Sequence, residues 1–151
     1  MREQKEGHMT ILIAEDNEDE QLIAKRALRS AGVSIPIRFV NDGIELMDYL
    51  YQRGRFSDSQ QHPKPHLIFL DLNMPLMDGH EALSLIKEDA HLRQIPIIVL
   101  STSANEGDIE RCYQSCVNAY LVKPASFDQL TQTFQAFSQF WLGCARYPEL
   151  G

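Results

Sequence analysis

The sequence predicts an α/β domain in which a five-stranded parallel sheet is covered by helices on both faces. Three observations lead there. Five apolar runs alternate with five helix-like stretches along the chain. Three of those runs are continuously apolar, as strands buried on both faces must be. Each helix-like stretch also opens on a small polar residue followed three positions later by an acid or amide, the spacing of a capped helix start.

The elements follow in order. Residues 10–14 form the first run, and Asn17 with Glu20 opens a helix that places Ala24, Ala27, Leu28 and Ala31 on one face. Residues 37–40 form the second run, with Asp42 and Glu45 as the next helix start. The run alternates apolar and polar residues, which suits a sheet edge. Residues 53–65, with two prolines and many polar residues, read as an exposed loop or insertion. The runs at 67–70 and 97–100 are followed by Asp78/Glu81 and Ser103/Glu106. The short run at 119–122 stops at Pro124 and suits the other edge. Ser126/Gln129 opens the last helix, whose face is expected to carry Phe127, Leu130, Phe134, Phe137 and Trp141. Residues 1–9 read as an N-terminal extension, 10–142 as the folded domain and 143–151 as a tail. Within the extension, Gly7-His8-Met9 has the look of an expression-tag scar.

Composition narrows the function. The 151 residues suffice for one domain with a core that needs neither metal nor disulfide to fold. A formal net charge of −7 argues against a broad nucleic-acid or anionic-lipid surface. No apolar run approaches a membrane span, and the N-terminus lacks the apolar core of a signal peptide. Three cysteines do not make a disulfide framework, so a cytoplasmic setting is expected.

In an open parallel sheet, ligands bind beyond the carboxyl ends of the strands. Glu15 and Asp16 follow the first run, Asp71 the third, Ser101 and Thr102 the fourth, and Lys123 the fifth. Singly, each is an ordinary turn or cap residue. Together they gather three carboxylates, a hydroxyl and an ammonium at one edge. Two carboxylates about 4 Å apart repel by roughly 4 kcal/mol at an effective dielectric of 20, so the group calls for cations. Lys123 is one, and a hard divalent ion such as Mg²⁺ suits an all-oxygen site. With Ser101 and Lys123 able to hydrogen-bond phosphoryl oxygens, the residues read as a carboxylate nucleophile for phosphoryl transfer.

The segments ILIAEDNEDE, LIFLDLNMPLMDG, IPIIVLSTSA and AYLVKP resemble the receiver domain of two-component response regulators, in order and spacing, over roughly residues 10–142. The resemblance implies a flavodoxin-like, doubly wound sheet of order 2-1-3-4-5. It implies Asp71 as phosphoacceptor, Asp16 and Glu15 as the acidic pair for Mg²⁺, and Asn73 as donor of a main-chain carbonyl to the metal. Ser101 falls on the switch hydroxyl, with Thr102 as the neighbouring alternative, and Tyr120 falls on the aromatic switch residue. Lys123 falls on the phosphate-binding lysine, with a cis peptide to Pro124, and Pro75 and Gly79 fall on the loop after the acceptor. Glu15 stands where Asp is commoner, Ser101 where Thr is usual, and Thr102 where a small residue is typical. Cys116 stands where glycine usually ends the fourth helix. The long 53–65 loop, the Ser-Thr-Ser run at 101–103 and the Phe-Trp-Leu run at 140–142 resemble the stand-alone regulators that serve phytochrome-type photoreceptor histidine kinases.

The implied function is a signalling phosphoacceptor rather than an enzyme with turnover. A sensor histidine kinase supplies the phosphoryl group, and a downstream phosphotransfer or effector protein reads the switched surface. Too few residues follow 142 for a DNA-binding module, so direct DNA binding is not expected. Phe140 and Leu142 lie off the buried stripe and suggest a homodimer through the C-terminal helix region. Cys112 and Cys116 are read as structural thiols sharing a helix face, and His62, His66, His80 and His91 as surface or loop residues. Two other classes stay open. A metal-dependent aspartyl phosphatase would want an acid two residues after the nucleophile, where Asn73 stands. A phosphorylation-independent binding module would not need the acceptor, metal and lysine positions intact.

Overall fold

The two faces of the sheet are built by the period-two alternation of its strands. A computed structural model describes residues 9–149, so the scar expected at Gly7-His8 lies outside the described residues apart from Met9. The strands are β1 (Ile11–Ala14), β2 (Ile37–Val40), β3 (Leu67–Leu70), β4 (Ile97–Ser101) and β5 (Ala119–Val122). The helices are α1 (Glu18–Ser30), α2 (Gly43–Leu50), α3 (Gly79–Glu88), α4 (Glu106–Gln114) and α5 (Phe127–Phe137). All four strand pairings are parallel, and the spatial order is β2-β1-β3-β4-β5. The weaker runs are indeed the edges, and β1 and β3 are buried throughout.

Leu12, Ala14, Ile68, Leu70, Ile97 and Val99 face a core closed by Leu46 of α2, Leu83 of α3 and Cys112 of α4. The alternate residues Ile11, Ile13, Phe69, Ile98 and Leu100 face Ala27 and Leu28 of α1 and Leu130 and Phe134 of α5. There Phe69 packs on Phe134 and Phe137 with ring centroids 5.5 and 4.9 Å apart.

Four helix starts are as read: Asn17, Asp42, Asp78 and Ser126 accept from the main-chain N–H three residues on. The start of α4 is corrected. Asn105, not Ser103, is the cap and accepts from Asp108 N–H. The Ser103 hydroxyl instead donates to the Asp108 carboxylate at 2.7 Å, a charge-assisted bond that outcompetes a neutral cap.

Other expectations also change. Cys116 lies beyond α4 and is exposed, so it does not share the buried face of Cys112. Its φ of +69° puts it in the left-handed region where glycine is usual. Its N–H reaches Tyr113 O, and Val117 N–H reaches Cys112 O, closing the helix end. His80 is buried on α3 rather than at the surface. The helical period of 80, 83 and 86 turns it inward with Leu83 and Ile86.

The 53–65 segment is not wholly exposed. It makes a 3₁₀ turn at Gly54–Phe56, and Phe56 packs against Tyr49 and His62. No peptide bond among the described residues is cis, so the Lys123–Pro124 bond is trans, the intrinsically favoured isomer even before proline.

At the C-terminus, a π-type turn at Ser138–Leu142 widens the helix and shifts its register. Leu142 therefore packs on the core beside Trp141, whereas Phe140 is exposed as expected. Phe127, expected on the buried face, is exposed: it is the first residue of α5, ahead of the buried stripe that begins at Leu130. The tail folds back as well, with the Tyr147 hydroxyl donating to Trp141 O at 2.6 Å.

Candidate functional site

The strand-end residues singled out by sequence gather at the carboxyl edge of the sheet: Glu15, Asp16, Asp71 and Lys123 follow their strands, and Ser101 is the last residue of β4. β1 runs out at Ala14, leaving Glu15 buried and Asp16 exposed. β3 runs out at Leu70, leaving Asp71 half-buried beside them. Carboxylate oxygens of Glu15, Asp16 and Asp71 lie within 4.8 Å of one another. The spacing and all-oxygen donor set fit a hard divalent cation.

Lys123, just past β5, reaches across to Glu15 at 3.2 Å and to Glu20 of α1 at 3.5 Å. Its main-chain N–H also donates to Ser101 O, which ties the β4 and β5 ends together. Asn73 is exposed, and its N–H donates to Asp71 Oδ1 at 3.3 Å. Gly79 supports the same loop. Its N–H donates to Leu72 O at 2.9 Å, and a β-carbon there would collide with the Asp71 carbonyl oxygen.

The charges in this cleft strain against one another. Burial pushes the Glu15 carboxyl up to about 7, and the Asp71 charge adds to that push, against the pull of the Asn17 N–H and Lys123. Burial likewise raises Asp71, with Asp16 contributing. Burial alone would lower Lys123, but the carboxylates of Glu15, Asp71 and Glu20 outweigh it and hold the ammonium above its usual range. One lysine for three clustered carboxylates leaves negative charge uncompensated.

The switch candidates sit alongside. Ser101 is wholly buried, and its hydroxyl accepts from Ser103 N–H at 3.1 Å. Tyr120 is half-buried, and its hydroxyl donates to Ser103 O at 2.8 Å. Thr102 is exposed.

Three residues of this region escaped sequence reasoning. Glu20 is a carboxylate partner of Lys123; it reads in the sequence only as a helix-start acid. His80 and Asp108 contact each other at 3.2 Å. The helical period was the available signal for both, since His80 stands three before Leu83 and Asp108 four before Cys112.

Comparison with known proteins agrees with this geometry. The response regulator receiver domain model matches residues 11–135. The chain is 38% identical over 143 residues to the probable methanogenesis regulatory protein FilR2 of Methanothrix harundinacea, covering 95% of this chain and 90% of that one. It is 34% identical to response regulator Rcp1 of Synechocystis over 98% of this chain and 99% of Rcp1. A crystal structure of the phosphorylated cyanobacterial phytochrome response regulator RcpA superposes with a TM-score of 0.86 at 41% identity, covering 94% of this chain and 99% of RcpA. The Mn²⁺-bound form of Rcp1 superposes with a TM-score of 0.83, covering 93% of this chain and 99% of that structure. With the receiver model spanning the sheet and its strand-end acids, this chain belongs to the response regulator receiver-domain family.

Proposed function

We propose that Asp71 accepts a phosphoryl group from a phosphohistidine on a sensor histidine kinase, and that the chain works in the cytoplasm as a phosphorylation-controlled switch. The observation that carries this is the clustering of Glu15, Asp16 and Asp71 within 4.8 Å, with Lys123 on Glu15. The Asp71 carboxylate forms the new oxygen–phosphorus bond as the phosphorus–nitrogen bond of the donor breaks, and the donor imidazole keeps the electron pair. Glu15, Asp16, Asp71 and the main-chain carbonyl of Asn73 would hold Mg²⁺, which would neutralise the carboxylates and the incoming phosphoryl oxygens. Lys123, released from Glu15, and the Ser101 hydroxyl hydrogen-bond those oxygens, and Tyr120 follows the movement of Ser101. Asn73 has no carboxyl group to act as an acid two residues from the nucleophile, which supports a stable phosphoacceptor over a phosphatase with turnover.

The likeness to RcpA supports a phytochrome-type kinase as the donor. We also infer a homodimer through the C-terminal region. Phe140 is 56% exposed beside Trp141. Next to it lies a mostly apolar groove of about 250 Å³ whose lining includes Ala119, Leu121, Thr133, Ala136 and Trp141. Sedimentation of Phe140→Asp tests this, with a shift from dimer to monomer expected. The switch output is then protein docking, onto a downstream phosphotransfer or effector protein, without direct contact to DNA or membrane.

The central test is intact-mass analysis after incubation with Mg²⁺ and acetyl phosphate. One labile phosphoryl adduct is expected, absent without Mg²⁺ and absent in Asp71→Asn. An adduct that persists in Asp71→Asn would move the acceptor elsewhere. No adduct from acetyl phosphate or from histidine-kinase donors would favour a phosphorylation-independent binding module.

A further inference from the structure

On the α3–α4 side of the switch, a continuous chain of hydrogen bonds runs through residues that none of the phosphoryl chemistry above uses. It starts in the core at Cys112, which is fully buried. Burial, with the Asp108 charge, pushes this thiol up to about 11, so it keeps its proton. Its Sγ lies 3.8 Å from His80 Nδ1, within reach for the thiol S–H to donate to that nitrogen. Across the ring, Nε2 lies 3.2 Å from Asp108 Oδ1, and a carboxylate only accepts, so Nε2–H is the donor there. The other Asp108 oxygen accepts the Ser103 hydroxyl at 2.7 Å.

Ser103 is where the chain meets the switch, because every polar group it has is engaged. Its hydroxyl oxygen accepts Asn105 N–H at 3.2 Å. Its N–H donates to the Ser101 hydroxyl oxygen, and its carbonyl accepts the Tyr120 hydroxyl. A polar chain satisfied at each step, buried at Cys112 and His80 and partly exposed at Asp108 and Ser103, holds its members in one arrangement. Here the arrangement leaves the Ser101 hydroxyl proton free to donate, with its oxygen held from behind by Ser103 N–H. The Asp108 anchor is itself stable: the Ser103 hydroxyl and then His80 hold its carboxyl below the usual range.

We propose that His80, acting through Asp108 and Ser103, is a positioning residue for the Ser101–Tyr120 switch, pre-orienting the loop between β4 and α4 for phosphoryl transfer to Asp71. It touches neither donor nor metal ligands. It sits directly after Gly79, whose N–H holds the acceptor loop through Leu72 O, so one turn of α3 braces both the acceptor and the switch. The proposal rests on the phosphoacceptor reading for its kinetic part and on the contacts alone for its structural part.

Two measurements on full-length protein test it. The first is the rate of phosphorylation by acetyl phosphate at saturating Mg²⁺, set beside the Mg²⁺ dissociation constant. His80→Leu should slow the maximal rate about fivefold, the scale of one lost orienting hydrogen bond, with Mg²⁺ affinity unchanged. His80→Gln, whose amide can donate to Asp108, should recover most of that loss. Adding Ser103→Ala to His80→Leu should cost little more, because both remove the same brace. The second is amide hydrogen exchange without any phosphoryl donor. His80→Leu should speed exchange at Ser103 and Asn105 while leaving β1 and β3 protected.

An unchanged rate together with unchanged exchange at 103–105 overturns the proposal. So does a loss of rate that comes with weaker Mg²⁺ binding and faster exchange throughout the sheet, which would make His80 a packing residue only. If the unmutated protein takes no phosphoryl group, the phosphoacceptor reading fails by itself. The exchange data then decide the brace: local opening at 103–105 supports it, and none overturns it.

Discussion

Two clusters of titratable groups flank the end of β4, and they are built on opposite principles. In the cleft of Glu15, Asp16, Asp71 and Lys123, like charges are crowded into a partly buried space, and both Glu15 and Asp71 are held above their ordinary range. In the chain of Cys112, His80, Asp108 and Ser103, donors and acceptors alternate, and Asp108 is held below its ordinary range. The same residue type thus shifts in opposite directions a few side chains apart. Crowding without enough partners makes a site that demands a cation; alternation makes a brace. In the proposed switch the two are complementary: the cleft changes its charge, and the braced loop beside it is held in place to read that change.

Removing the cleft's one ammonium should break this comparison most strongly. Lys123→Met should slow phosphorylation of Asp71 about 10²–10³-fold, the scale of one lost charge-stabilising donor. In metal-free protein it should also cost about 3 kcal/mol at pH 8, the lower end for an unpaired buried charge, measured by urea denaturation, because Glu15 and Asp71 lose their counter-charge. The cost should shrink at pH 6, where Glu15 has taken up its proton.

Next comes the pH dependence of the cleft itself. Glu15 has a folded pKa of about 7 against an ordinary 4.5, so the folded, metal-free chain binds the extra proton. This contribution to stability is fully present below 4.5 and is lost as pH rises through about 7. Mg²⁺ needs the deprotonated group, so its effect has the opposite sense. At ten times its dissociation constant, Mg²⁺ should add about 1.4 kcal/mol at pH 8. The same concentration should raise the melting temperature far less at pH 5.5. Equal gains at both pH values would show that Glu15 takes no part in binding.

The brace should respond more mildly. Ser103→Ala should cost about 1 kcal/mol, one net hydrogen bond, with the same Mg²⁺ response as the parent protein. A changed Mg²⁺ response would join the two clusters into one. Smallest of all, Cys116→Gly should stabilise by about 0.5–1 kcal/mol, since glycine adopts the left-handed backbone without steric cost. This change lies outside both clusters and should leave phosphorylation untouched, which makes it a control for stability alone.

The legible parts of the site were those set by local order. Asp16, Asp71, Ser101 and Lys123 each end an apolar run, and a parallel sheet brings the ends of its strands to one edge. The capped helix starts at Asn17, Asp42, Asp78 and Ser126 were legible for the same reason, since the bond closes within three residues. Ser103 shows where this logic fails. Its spacing to Glu106 suits a cap, but a carboxylate five residues on competes for its hydroxyl, and Asn105 takes the cap. The sequence alone also misplaced Leu142, because a π-type turn inserts its extra residue without a composition signal.

By itself, then, the sequence determined the strand order's raw material, the identity of the strand-end acids and the family to which they belong. These depend on periodicity and on neighbours a few residues apart. Only the tertiary structure decided that Glu20 shares Lys123 with Glu15, that His80 turns inward to Asp108, and that Tyr120 closes on Ser103. Each of those contacts joins different segments of the chain. Its existence depends on how far two packed elements stand apart, a distance that spacing along the chain does not encode.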